Sequence, residues 1–403
     1  DLSQPLNFKK GAIVGTSSAR RKAQISELRS DITIKDIRGN VPTRVNKLRE
    51  GQFDAILIAF AGVHRLELDL SDIHSEMLDP RLFIPAPAQG VLAYQCREND
   101  NETSDIISNL HDQGVSNAIQ IERGILSGFG GGCHIPIGVH ATPTNEGFRI
   151  RATFSNAWES FSKRVRFETT SLEGGLKIFE SLKTKDLPST VFISRDLSEE
   201  SYLKRACAEH KIALIDKSLI AISPLTFQIN HDECEWVFFS SSNSVESFFS
   251  QEKPENWASK KFGTAGDATA NTLGKYVTKI DFIGSESDMS IVSHKFKELV
   301  GSKKVLFPIS ARSLKSIQAS LASNQVLNVE CYSSKPIHIQ LTESQAYIFT
   351  SPSNVEAYLE GNTSFPESAK LISIGNSTAK KLKEHGFSSL IAEIPHESEL
   401  WAL

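Results

Sequence analysis

Residues 236–249 read WVFFSSSNSVESFF, and residues 346–359 read AYIFTSPSNVEAYL, a shift of 110 residues. Each is a short apolar run, then a cluster of hydroxyl and amide residues, then apolar residues at helical spacing. That is the pattern of a buried strand turning into a helix. A second pair, GDATANTL from 266 and GNSTAKKL from 375, repeats at a shift of 109. Two copies of one strand–hydroxyl–helix unit at matching separations predict two related α/β lobes facing a cleft. Ser240, Ser241, Thr350, Ser351 and Ser353 fall where strand gives way to helix, and Thr269 and Thr378 take equivalent places in the second pair. Hydroxyls and helix N-termini together would grip a flexible polycarboxylate without many arginines. The plainer account of each hydroxyl is a helix cap.

Upstream, strand and helix signals also alternate. GAIVGTSS (11–18) is an apolar strand ending in Gly and hydroxyls, and ARRKAQISELRS has helical spacing. ITIKDIRGN reads as a second strand, VPTRVNKLREGQ as a helix, and FDAILIAFAG as a buried third strand. This βαβαβ order predicts a parallel sheet with ligands at the strand C-terminal ends. After FIPAPAQG, VLAYQCR (91–97) reads as one more strand, SNAIQIERGILSGF as a helix, and FRIRATF and SKRVRFETT as alternating strands. LEGGLKIFESLKT reads as a helix, and DLPS at 186–189 as a linker.

The chain has 403 residues, 39% hydrophobic and 23% charged, which is ordinary globular composition sufficient for several cores. No apolar run approaches the roughly 18 residues of a membrane span. The five cysteines are scattered and odd in number, with no CxxC pair. Neither a zinc site nor a disulfide framework is indicated, and a reducing, cytoplasmic compartment is expected. The net charge of −4 hides an excess: eleven Lys or Arg against three Asp or Glu between Lys9 and Arg49. The segment lacks a helix-turn-helix pattern, zinc ligands and interleaved aromatics. A small polyanion therefore fits better than nucleic acid. The junction GTSSARR (15–21) would converge free N–H groups, hydroxyls and two arginines on an anion. RGNVPTR repeats the arrangement with Arg38 and Arg44, and Arg65 follows the third strand. Arginines form bidentate pairs with carboxylates, so this set suits a ligand bearing several. The plainer account is N-capping plus surface charge.

One stretch stands apart. FGGGCHIPIG (129–138) sets Cys133 behind three glycines and ahead of Pro136. Such a bare, bent loop displays a thiol. It can be a metal ligand, a nucleophile, an attachment point or simply structural.

GTSSARRKAQ, IRGNVPTRVNKL, DAILIAFAGVHRL, PAPAQGVLAYQCR and ERGILSGFGGGCHIPIG, in this order, resemble porphobilinogen deaminase over about residues 1–185. The resemblance implies that Cys133 carries a dipyrromethane cofactor through a thioether, with the glycine loop giving that primer room. It implies that Arg20, Arg21, Arg38, Arg44 and Arg65 bind the acetates and propionates of cofactor and growing chain, with Ser18 and Gln89 at neighbouring binding positions. Ala88 stands where the family commonly has glycine, which matters only if a positive φ is required. The chain begins at Asp1 without the family's N-terminal segment, which supplies its catalytic aspartate. It is therefore read as a truncated deaminase half, inactive in polymerisation and without its cofactor as given.

VFISR, VFFSSSNSVESFF, GDATANTL, VECYSSKP, YIFTSPSNVEAYL and ISIGNSTAKKLKEHGF resemble uroporphyrinogen-III synthase over about residues 189–403. That resemblance implies cyclisation of hydroxymethylbilane with inversion of its last ring, a lyase reaction needing no metal. Tyr332 matches a family tyrosine that can act as an acid, although a strand-end tyrosine is ordinarily packing. The expected organisation is a deaminase-like α/β domain with its return strand over 1–113 and an α+β cofactor-bearing domain over 114–188. A bilobed α/β synthase unit follows over 189–403, with 190–224 and 335–403 in one lobe and 225–334 in the other. A monomer acting on a linear tetrapyrrole, with no nucleic-acid or membrane partner, is expected. The alternative is a non-catalytic module that binds polycarboxylates or tetrapyrroles.

Overall fold

The computed structural model describes residue 6 and residues 8–132, 134–171, 178–184, 187–284, 289–311, 313, 315–337, 339, 341–362, 364–394 and 396–402. The chain divides into two compact units. The larger comprises Phe8–Lys217, Thr342–Pro352 and Phe365–Leu403; the smaller comprises Ser218–Leu341 and Ser353–Ser364 with Asp1–Asn7.

The larger unit opens with the predicted βαβαβ pattern. β1 (Ile13–Gly15), α1 (Ala19–Leu28), β2 (Thr33–Lys35), α2 (Val41–Arg49) and β3 (Ala55–Ile56) form a parallel sheet in the order β2-β1-β3. β3 is only two residues and half-buried, because the chain turns at once into α3 (Phe60–Arg65). Residues 91–97 form no strand, contrary to their apolar reading. No strand among the described residues pairs with them, and Leu92 and Tyr94 are more than half exposed. Two helices follow, α4 (Asn101–Ser108) and α5 (Gln113–Gly128). The antiparallel sheet β4 (Ile137–Thr144), β5 (Gly147–Phe154), β6 (Lys163–Thr169) comes next, then α6 (Ile178–Thr184). One face of that sheet buries Ile150, Ala152 and Val165 against Ile121 and Ile125 of α5. Period-two alternation puts the intervening residues on the opposite face.

β7 (Thr190–Ile193), α7 (Tyr202–Glu209) and β8 (Ala213–Asp216) then start a third sheet of the same unit. The chain leaves to build the smaller unit: β9 (Ile220–Pro224), β10 (Trp236–Phe239), α8 (Ser242–Phe249), β11 (Lys261–Thr264), α9 (Asp267–Leu273), β12 (Phe282–Ile283), α10 (Met289–Val300), β13 (Val305–Ser310) and β14 (Val326–Pro336). Its six strands run in the order β12-β11-β10-β13-β14-β9, parallel except β9. β10 is buried at all four positions, as a central strand covered by helices on both faces must be.

β15 (Ala346–Phe349), α11 (Pro352–Gly361), β16 (Lys370–Ser373), α12 (Asn376–Glu384), β17 (Leu390–Ile391) and α13 (Glu397–Ala402) complete the chain. β15 inserts beside β7 to finish the parallel sheet β17-β16-β15-β7-β8. Both copies of the repeat thus occupy central strands of their sheets. No helix among the described residues is long and apolar enough to cross a membrane.

Candidate functional site

At the C-terminal ends of β1–β3 the chain assembles a cationic site. Ser17 knots β1 to β2, its Oγ donating to the Ile37 carbonyl at 2.8 Å and accepting from Ile37 N–H at 3.0 Å. Ser18 is the N-cap of α1, accepting from Arg21 N–H. Arg20, buried, donates to the Ile84 carbonyl at 2.7 Å and to Gln89 Oε1 at 3.1 Å, which brings two predicted residues together. Gln24 completes the clamp, accepting from Ile84 N–H at 2.7 Å and donating to its carbonyl at 2.9 Å. Arg21 donates to the Leu57 carbonyl at 2.7 Å, and Arg44 to the Gly39 carbonyl at 2.7 Å. Arg38 is exposed beside the Asn40 cap of α2.

Burial and the neighbouring Arg21 charge push the Arg20 guanidinium down to about 9. Burial and the Arg44 charge lower Arg21 as well. These cations also differ from several others in how they are partnered. Among the described residues Arg29, Arg49, Arg81, Arg149, Arg151 and Arg166 form ion pairs with carboxylates. Arg20, Arg21, Arg38, Arg44 and Arg65 form none, and their recorded side-chain bonds go to carbonyls and Gln89. Neutral acceptors orient a guanidinium without cancelling its charge, so the cluster retains a positive field.

Arg65 and Gln89 also line a cavity of about 450 Å³, with Phe60, His64 and Gly90. His64 was not singled out in the sequence; its position directly before Arg65, one turn after Phe60, was the available signal. Ala88, beside Gln89, has φ +59° and therefore does occupy the left-handed region. Its N–H donates to Glu122 Oε2 of α5 at 2.6 Å, which holds the turn. Cys133 lies outside the described residues. The glycines before it, Gly130 and Gly131, have φ of +84° and +67°, and a side chain added at either would meet nothing within 4 Å.

The smaller unit carries its own group at the strand C-terminal ends. Ser241 caps α8 in a reciprocal box with Ser244, and its Oγ lies 3.2 Å from the Tyr332 hydroxyl. A bulge in the β13–β14 pairing, between Ile309 and Ser310, aligns Tyr332 with Ser310 at the end of β13. Tyr332 is 8% exposed. Behind Ser241, Thr272 of α9 donates to Ser242 Oγ at 2.9 Å. Thr269 is buried on α9, while Ser240 and Ser353 are exposed.

In the larger unit Thr350 and Ser194 bind each other, Thr350 N–H donating to Ser194 Oγ at 2.9 Å and Thr350 Oγ1 to the Ser194 carbonyl at 3.2 Å. Thr350 thus splices β15 to β7. Ser351 is half-buried, and Thr378 is buried on α12. The second repeated motif gives matching helix starts. α9 and α12 are both preceded by an extended glycine, Gly266 and Gly375, with no side-chain cap. Each leaves first-turn N–H groups unclaimed by a capping side chain.

Comparison with known proteins identifies the domains that carry these groups. Residues 201–402, half of the chain, match the family model described as uroporphyrinogen-III synthase HemD. The chain belongs to the uroporphyrinogen-III synthase family. Ahead of the synthase portion, residues 3–105 match the dipyromethane cofactor binding domain of porphobilinogen deaminase, and residues 117–183 match its C-terminal domain. The chain is therefore a fusion of deaminase and synthase domains, both from enzyme families of tetrapyrrole biosynthesis. Its α/β and α+β deaminase domains precede the α/β synthase fold, as the motifs predicted. The cofactor-binding match contains Ser18, Gln89, Arg20, Arg21, Arg38, Arg44 and Arg65.

The porphobilinogen deaminase of Maridesulfovibrio salexigens is 44% identical over 160 residues, 40% of this chain and 51% of the relative. That of Roseiflexus sp. is 49% identical over 131 residues, 32% of this chain and 43% of the relative. The chain spans about half the length of these curated relatives. Among solved structures, the uroporphyrinogen-III synthetase of Helicobacter pylori matches at 21% identity and TM-score 0.41, over 53% of this chain and 96% of that one.

Proposed function

We propose that the synthase portion cyclises linear hydroxymethylbilane to uroporphyrinogen III, with Tyr332 as the proton donor. The observation that carries this reading is the 3.2 Å contact between the Tyr332 hydroxyl and Ser241 Oγ at the strand C-terminal ends of a family member. Tyr332 Oη would donate its proton to the departing hydroxyl, which leaves as water, and Ser241 Oγ would hydrogen-bond the resulting phenolate. The azafulvene so formed is attacked by the substituted carbon of the last ring. The spiro intermediate then opens and closes with that ring inverted, and the proton released on rearomatisation returns to Tyr332. Ser240, Ser241, Thr269, Thr350, Ser351, Ser353 and Thr378 are proposed as substrate-binding, Thr350 only on exchanging its Ser194 partners for the substrate. Holding the bilane folded and dry supplies most of the acceleration.

For the deaminase domains, we propose that Ser18, Arg20, Arg21, Arg38, Arg44, Arg65 and Gln89 bind acetate and propionate groups, because the five arginines have no carboxylate of their own among the described residues. A dipyrromethane fits that donor set. Bound through Cys133, it would supply the primer onto which pyrroles are added. The 403-residue chain expressed by itself is expected to keep Cys133 as a free thiol. In this reading residues 1–113 and 114–188 form the deaminase part and 189–403 the synthase part, with lobes 190–224 plus 335–403 and 225–334.

The test supplies fresh hydroxymethylbilane to the intact chain and separates the oxidised products by chromatography. A predominance of type III is expected. Only type I, formed at the rate of a buffer blank, refutes the synthase reading and leaves a binding module.

A further inference from the structure

The outward face of the β4–β6 sheet is arginine-rich in a way that neither catalytic reading uses. Arg149 and Arg151 on β5, and Arg164 and Arg166 on β6, alternate with the buried core residues Ile150, Ala152 and Val165. The register sets Arg151 directly opposite Arg166. Like charges opposed across a strand pair repel, and burying an unpaired guanidinium is costlier still. Yet the Arg151, Arg164 and Arg166 side chains are only 5%, 2% and 12% exposed.

What covers Arg151 and Arg166 is the synthase portion of the same chain. Glu393 pairs with Arg151 and, at 2.8 Å, with Arg149. Glu399 on α13 accepts from Arg166 at 2.8 Å and lies 3.6 Å from Arg151. Arg166 also donates to the Ile391 carbonyl at 3.0 Å, and Trp401 Nε1 to the Ser162 carbonyl at 3.0 Å. A second knot centres on Glu27 at the end of α1. Its carboxylate accepts from Ser162 N–H at 2.7 Å and from the Tyr202 hydroxyl of α7 at 3.0 Å, with Arg164 at 3.7 Å. Arg205 of α7 donates to the Glu27 carbonyl and lies over the Phe161 ring. Arginines of the deaminase C-terminal sheet thus answer carboxylates of the synthase lobe, and Glu27 ties α1 of the cofactor-binding domain to both.

We propose that the arginine face of β5 and β6 is a docking surface for the acidic segment bearing Glu393 and Glu399. The deaminase and synthase domains of the larger unit are then held together by this surface rather than by the peptide link between α6 and β7. Each part completes the other: the buried Arg151 and Arg166 face those two carboxylates, and Glu393 and Glu399 pair with the arginines of this sheet.

The test inserts a protease recognition sequence between Lys185 and Asp186 of the full chain, cleaves it, and runs the product on size exclusion. Co-elution of both fragments at the volume of the uncut protein is expected. It should persist at about 1 M salt, where the screening length is about 3 Å but buried pairs are little screened. Two resolved fragments overturn the proposal. Glu399→Arg in the cut protein is expected to weaken the association about a hundredfold, because it sets three like charges together. Arg166→Glu added to it should recover part of that loss. Wild-type retention by cut Glu399→Arg would equally overturn the assignment of the ionic seam. Neither arm requires tetrapyrrole turnover, so both stand apart from the synthase reading.

Discussion

Ala88→Gly is expected to stabilise the larger unit. Ala88 sits at φ +59°, where an L-residue pays about 1–2 kcal/mol for the approach of its Cβ to backbone oxygen. Glycine removes that penalty but brings greater freedom in the unfolded chain, worth about 0.5–1 kcal/mol in the opposite direction. The difference favours the variant by about 0.5–1 kcal/mol. At about 2–4 °C per kcal/mol for a body of this size, Tm should rise by about 1–4 °C. Ala88→Val places a β-branched side chain in the same region and should lower Tm by more than the glycine raises it. Glu122→Gln weakens the charge-assisted bond to Ala88 N–H, and should cost about 1.5–3 kcal/mol. Thermal scans followed by tryptophan fluorescence, backed by urea midpoints, compare the three. A lower Tm for Ala88→Gly would mean that the turn is not strained and that the alanine is there for packing.

Arg21→Leu should weaken calorimetric binding of a pyrrole carboxylate by about 1.5–3 kcal/mol, the worth of one charge-assisted pair. Unchanged affinity in a folded variant would make the arginine cluster surface charge. Tyr332→Phe should lower the rate of type III formation by about 10²–10⁴ while leaving bilane affinity in place, as removal of a general acid does. A rate within a factor of two of the parent would remove the tyrosine from that role. His396 is held down to about 4 by burial and then by the charges of Arg164 and Arg195, against the opposing pull of Glu397. Its folded pKa lies below the unfolded one, so below about pH 6.5 the unfolded state takes up the proton first and stability falls towards pH 4. The full shift corresponds to about 3 kcal/mol; the ring keeps some solvent contact, so a loss of about 2 kcal/mol between pH 7 and pH 4.5 is expected. His396→Asn, which can still accept from Ser398 N–H, should flatten that slope in urea midpoints. Intact mass spectrometry should find Cys133 as a free thiol, with Cys133→Ser as the blank; a dipyrromethane mass shift would show that these domains suffice for loading.

Much of this was legible in the sequence because it is local. The 110-residue repeat marked two central strands, and hydroxyls before helical spacing marked their turns. The GTSSARR junction placed Ser18, Arg20 and Arg21 correctly at the end of β1. Other features depend on partners far along the chain. VLAYQCR has strand composition, but a strand exists only where another offers its hydrogen bonds, and none of the described strands does. Thr350 reads as a ligand hydroxyl until Ser194 is seen to occupy it. The alternating arginines of FRIRATF and KRVRF are as plain in the sequence as any motif. Their meaning depends on Glu393 and Glu399, whose proximity no local pattern announces.

The detour of the chain through the smaller unit also sets a timetable for the ribosome. All six strands of that unit lie between residues 220 and 336, so its sheet can close as soon as it is made. β7 and β8 emerge earlier but must wait for β15, since Ser194 meets Thr350 only 156 residues later. Arg166 waits 233 residues for Glu399, roughly 12–47 seconds at ordinary elongation rates. During that interval the nascent chain carries a bare arginine sheet and an unfinished apolar strand, Val191 to Ile193, outside the tunnel. β15 ends the exposure of that strand and α13 later ends that of the arginines, so slowing translation over residues 340–400 should reduce soluble yield more than slowing it anywhere within the smaller unit.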